Sequence, residues 1–174
     1  MKRSEQNKAV VADFFAHGYR VSGTLAATGR TLPDIVYDPS TNYVPIQEAY
    51  LSPITTPTKI SAYYASAVLT KVNLDFIITM DVNDGLRRDQ HYTLGKNVYN
   101  ISLTLPFFEI QGELHSLNRN FDARVFLSSD AAGFITLLNA KARCTFNPDV
   151  SYEGGATLVS RNKISFLGET RTED

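Results

Sequence analysis

Phe108-Glu109-Ile110-Gln111-Gly112-Glu113-Leu114 alternates inward and outward residues at every step, with a glycine standing on the apolar side. A period of two is the pattern of a strand with one buried face. Glycine on that buried face marks a sharp bend or a close approach of two backbones. The same arrangement occurs earlier in the chain, where Tyr19, Val21, Gly23 and Leu25 alternate with Arg20, Ser22 and Thr24. Gly23 and Gly112 are therefore predicted to do the same structural job in two copies of one module.

Other matches extend outward from this pair. Arg30 falls on Arg119, and Tyr43-Val44-Pro45-Ile46 falls on Phe134-Ile135-Thr136-Leu137. Ala49 falls on Ala140, and Lys71-Val72-Asn73-Leu74-Asp75-Phe76 falls on Arg161-Asn162-Lys163-Ile164-Ser165-Phe166. The offset runs from 89 (Gly23 to Gly112) to 91 (Ala49 to Ala140). Matches that keep their order at a nearly constant offset indicate internal duplication. The chain divides into a first β-barrel module over 1–80, a connection over 81–97, a second module over 98–169 and a tail over 170–174.

Each module is expected to open with a hairpin. In the second, Ile101, Leu103 and Leu105 alternate with Asn100, Ser102 and Thr104, and Pro106 breaks the ladder ahead of the glycine strand. In the first, Val10 to Phe15 precedes a turn at His17-Gly18. A competing reading makes residues 5–17 a helix with Ser4 as its N-cap and Gly18 just past its end; the repeat favours the strand. A polar, turn-rich middle follows in each copy (Asp34 to Asn42, Asp122 to Ala132). Next come a long strand (Tyr43 to Leu51, Gly133 to Arg143) and two short ones.

Composition narrows the function classes. The formal charge of −1 gives no global attraction to a nucleic-acid backbone, although a local patch remains open. Cys144 is the single cysteine, which excludes an internal disulfide framework and fits a small half-buried apolar residue. No apolar run reaches the length of a membrane helix, and no signal peptide is read, so a cytoplasmic location is expected. His17, His91 and His115 lack ligand-like spacing, and no nucleophile elbow, phosphate loop or zinc-protease motif is present. The expectation is a protein without catalytic residues, metal or cofactor.

The ordered pattern resembles the Sm-like (Hfq-like) small β-barrel: a glycine-bent strand, a turn, an aromatic-aliphatic strand, then a short strand ending in a basic-polar pair ahead of an Ile-x-Phe strand. The closest stretches are Asn97 to Leu117 and Gly133 to Leu167. The first module is also similar to an uncharacterised bacterial domain family through Gly23-Thr24-Leu25, Arg30-Thr31-Leu32-Pro33-Asp34 and Tyr43 to Ala49. The chain departs from Sm proteins in a longer loop after the bent strand. It also lacks their Asp-x-aromatic-Met-Asn signature and their Arg-Gly pair. What the resemblance implies is an all-β fold of two tandem Sm-like barrels, packed side by side or through a shared sheet.

The resemblance implies two functions. Open barrel edges would pair with another copy or a protein partner, giving a homo-oligomer or scaffold. Alternatively, the inner loops would bind single-stranded RNA, with an aromatic stacking a base, an amide reading its edge and a cation meeting phosphate. The corresponding residues are Asn42, Tyr43, Lys71 and Asn73 in the first module, and Phe134, Arg161, Asn162 and Lys163 in the second. Against this, Tyr43 and Phe134 begin alternating strands and read as core. Lys71, Arg161 and Lys163 read as solvated turn residues. Arg30 with Asp34, and Arg119 with Asp122, are expected to form forks that pin the long loops. Arg87-Arg88-Asp89 has the start of the arginine box of a cyclic-dinucleotide receptor, but Leu105 stands where that motif requires glycine.

Overall fold

The computed structural model describes residues 9–26, 29–128 and 133–171. The fold is all-β. The first half contains β1 (Val11–Ala16), β2 (Tyr19–Leu25), a short helix α1 (Leu32–Val36), β3 (Tyr43–Pro53), β4 (Ala62–Thr70) and β5 (Leu74–Thr79). The connection carries α2 (Val82–Gly85) and a 3-10 turn over Gln90–Tyr92. The second half contains β6 (Asn97–Leu105), β7 (Phe108–Ser116), α3 (Ala123–Ser128), β8 (Phe134–Cys144), β9 (Ser151–Glu153), β10 (Ala156–Ser160) and β11 (Phe166–Glu169). Strand β1 occupies the segment for which strand and helix competed; residues 4–8 of that competing helix lie outside the described residues.

The halves repeat one strand order. Across the sheet the first reads β4-β3-β2-β1-β5, and the second reads β10-β8-β7-β6-β11. They join through an antiparallel pairing of β10 with β5, which makes one continuous sheet of eleven strands. Short β9 lies off the main path, against β8. The joint therefore pairs the fourth strand of one half with the fifth strand of the other.

Local chemistry explains the repetition. His17 and Gly18 both have positive φ, which is what a two-residue hairpin turn between twisted strands demands. Pro106 and Phe107 make the equivalent turn, with Phe107 in the left-handed region. Gly23 and Gly112 sit where the pairing register shifts between β2 and β3 and between β7 and β8. Opposite them, Glu48 and Asn139 take positive φ. A Cβ on Gly112 would stand 2.8 Å from Ala140 Cβ and 3.2 Å from the Leu138 carbonyl oxygen. On Gly23 it would meet Ile46 and stand 3.0 Å from the Gln47 carbonyl oxygen. The shared glycine is thus a close backbone approach at a bulge. After β4 and after β10, equivalent 3-10 turns (Lys71–Asn73, Arg161–Lys163) lead into β5 and towards β11.

The two cores are not confined to their halves. The cluster inside the second half includes Ile101, Leu103, Ile110 and Leu137, but also Phe15, Ile54, Phe76 and Ile78 from the first. The cluster inside the first takes in Phe134 and Leu158 from the second. Phe15 stacks on Phe76 at 4.1 Å between ring centroids, and both meet Phe108 edge-on. Tyr152 donates its hydroxyl to the Ile54 carbonyl at 2.8 Å. Cys144 is fully buried in this core rather than half-buried.

The polar middles contain more order than expected. Thr31 caps α1: its hydroxyl accepts from the Asp34 amide at 3.2 Å, while the Asp34 carboxylate accepts from the Thr31 amide at 3.0 Å. Residues 129–132, within the second of these middles, lie outside the described residues, as do 172–174 of the tail.

Candidate functional site

Among the described residues the sheet ends in two edge strands, each paired on one side only: β4, against β3, at one end and β11, against β6, at the other. Their equivalents inside the sheet are β10 and β5, and every residue of those two strands is buried. At the ends, exposure replaces burial. Val68 of β4 is 63% exposed, whereas its equivalent Leu158 is completely covered. Phe166 of β11 is 58% exposed, whereas its equivalent Phe76 is completely covered. Equivalent residues thus sit in opposite environments: at the joint they pack into the two cores, and at the ends of the sheet they do not. Strand β4 also exposes Tyr63 and Tyr64, with Tyr63 5.0 Å from Tyr50 on β3 and its hydroxyl donated to Glu48.

The loop residues predicted for RNA are partly brought together and partly committed elsewhere. At the end of the first half, the Lys71 amide donates to the Asn42 carbonyl at 2.8 Å, which places Lys71 beside Asn42 and Tyr43. Tyr43 is 50% exposed, so it is not the core residue that its place in an alternating strand implied. Lys71 is not a freely solvated turn residue. Its ammonium donates to the Asp38 carbonyl at 2.7 Å and to Thr41 Oγ1 at 3.0 Å, and burial lowers its pKa. Asn73 donates its amide to Thr70 Oγ1 at 2.6 Å.

In the second half, Phe134 is only 5% exposed and packs edge-on against Tyr37 at 6.1 Å. It is core, as its strand position predicted, and cannot stack a base. The Arg161 amide repeats the Lys71 bond by donating to the Gly133 carbonyl at 2.9 Å. Its side chain is half-buried rather than solvated, and that burial lowers its pKa. Asn162 is exposed and Lys163 half-buried. Nearby, Asp75 is a buried carboxylate; desolvation raises its pKa against the opposing pull of Lys163 and His17.

The expected arginine forks are corrected in detail. Arg30 does bind its loop, but through the Asp38 carboxylate at 2.7 Å and the Asp34 carbonyl at 2.8 Å. The Asp34 carboxylate is engaged in capping α1. Asp38 is held well below the usual carboxylate range, first by the Ser40 hydroxyl, then by the Ser40 amide and Arg30. In the second half the fork is not repeated. Asp122 pairs with Arg124 at 2.9 Å, and Arg119 is exposed.

Among the described residues, no group of three or more His, Cys, Asp or Glu side chains is placed to hold a metal ion. No described helix is long and apolar enough to cross a membrane. No family model, curated protein or solved structure matches the chain.

Proposed function

We propose that this protein is a non-catalytic scaffold that assembles head to tail through its two sheet edges, built as two tandem Sm-like modules. The observation that carries the reading is the β10·β5 joint. The chain already contains one fourth-to-fifth strand pairing, and among the described residues it leaves one fourth strand and one fifth strand at the sheet ends, each with an open edge. Unpaired strands offer a row of backbone donors and acceptors to a partner. Pairing β4 of one copy with β11 of the next repeats a contact that the sequence has already made stable once. Such a contact is heterologous, so it closes into a ring or runs on as a filament according to its rotation.

The internal joint also supplies a register. It pairs Ala156 with Thr79, Thr157 with Ile78, Leu158 with Ile77 and Val159 with Phe76. Transferred through the repeat, it pairs Ser66 with Glu169, Ala67 with Gly168, Val68 with Leu167 and Leu69 with Phe166. The test is to mix a Val68→Cys chain with a Leu167→Cys chain under mild oxidation. Buried Cys144 does not compete. A disulfide-linked heterodimer, with mass above the monomer for the unmodified chain, is expected. A strict monomer at high concentration with no crosslink would sink the reading.

A second reading, single-stranded RNA binding at the first half's inner loop, is favoured by the exposure of Tyr43 beside Asn42 and Lys71. It calls for affinity that falls steeply with salt and is lost on Tyr43→Ala. Absence of binding to a short RNA at low salt removes it.

A further inference from the structure

We infer that the cleft between the α1 loop and the connection binds a small phosphate-bearing anion. The cleft measures about 770 Å³, within the range of small-molecule sites. Arg30 reaches it from the segment before α1, and Arg87 and Arg88 reach it from the connection, with His91 on the same wall. Three arginines from two separate segments therefore line one space.

The hydrogen-bond inventory of the cleft decides what it can take. Its acceptors are largely used. Asp34 caps α1, and Asp38 is saturated by Ser40 and Arg30. Asp89 pairs with Arg87 Nε at 3.0 Å but is itself well exposed, so solvent weakens its hold. The donors are less committed. Arg87 lies with its guanidinium 4.8 Å over the Tyr37 ring, which fixes the plane of its fork. Neither Arg87 Nη group nor any side-chain nitrogen of Arg88 has a hydrogen-bond acceptor among the described residues. A site with open cationic donors and occupied carboxylates selects an acceptor-rich anion.

Geometry favours phosphate over carboxylate. A carboxylate presents two oxygens in one plane and satisfies a single fork. Arg30 Nη2 is held by Asp38 and the Asp34 carbonyl, and donors from Arg87 and Arg88, with the other nitrogens of Arg30, call for oxygens pointing in several directions, which a tetrahedral phosphate supplies. The Tyr37 ring behind Arg87 is itself backed by Phe134 of the second half. A bound anion would therefore tie the connection to the junction of the two halves.

Isothermal titration of the full chain with pyrophosphate and with AMP, each in low salt, tests this. Saturable binding is expected, weakened about tenfold by Arg88→Gln and by Arg87→Lys, since each removes a charge-assisted bond or a planar fork. Lys141→Gln, on the distant outer face of β8, is the charge-matched control and should leave affinity unchanged. Circular dichroism of each variant separates lost binding from lost folding. The inference is overturned by an absence of saturable binding to either probe, by equal loss in the Lys141 control, by citrate binding as well as pyrophosphate, or by binding of a short RNA alone.

Discussion

At the residue scale, the two glycines carry the most information. Their role was legible because a glycine interrupting an apolar face has few physical reasons to exist, and the structure supplies one at each site. An alanine methyl at Gly112 would meet both the backbone and the side chain of Ala140, at 3.0 and 2.8 Å. Gly112→Ala is therefore expected to destabilise the chain by about 1–3 kcal/mol through overpacking. Adding Ala140→Gly should recover part of the loss and not all, because the crowding against the backbone of residue 140 persists. Denaturant titration of the single and double variants measures both effects; full recovery would mean that the crowding is between side chains alone. The arginines were less legible. Arg30 and Arg119 are equivalent in sequence, yet one binds Asp38 while Asp122 takes Arg124 instead. A fork depends on where a neighbouring loop delivers its carboxylate, and the sequence of a long loop does not encode that position. Tyr43 failed for a related reason, since alternation assigns a face to a strand residue without saying whether that face is covered at its very end.

At the scale of elements, type and order followed from periodicity and turn chemistry, whereas exposure did not. The sequences of β5 and β11 both offer an aromatic followed by an aliphatic or small residue, and nothing local says that Phe76 is buried and Phe166 exposed. That depends on the partner strand, which is supplied by the other half of the chain. Short α1 and α3 were read as irregular because helices of five and six residues show too few turns for a hydrophobic period. The contrast between edge and interior gives a paired prediction. Leu158→Lys puts a charge at a fully covered position in β10 and is expected to cost about 4 kcal/mol or more. Val68→Lys puts the same charge at the equivalent place on open β4. It should leave the monomer's melting temperature nearly unchanged while abolishing assembly, as lysine does on natural sheet edges. Thermal melts and sedimentation of both variants check the pair; assembly that survives Val68→Lys would place the contact elsewhere.

At the scale of the whole molecule, the two halves are alike in strand order and dependent in packing. Strand β5 lies between them with all six residues buried, sending Phe76 and Ile78 into one core and Leu74 and Ile77 into the other. Strand β10 does the same from the opposite side through Val159 and Leu158. Stability on both sides of the joint therefore rests on the same two strands, which is the condition for one cooperative transition rather than two. Phe76 is the sharpest test, because its ring stacks on Phe15 of its own half and meets Phe108 of the other. Phe76→Ala is expected to cost about 3–5 kcal/mol. If the joint couples the halves, hydrogen exchange should show the slowest amides of β1 and of β7 losing protection by the same amount, with a single calorimetric transition at lower temperature. Loss confined to one half, or a second transition, would mean that each copy keeps an autonomous core. In that case the strand pairing at β10·β5 would be a docking contact between finished domains, and the joint proposed between copies would inherit that weaker character.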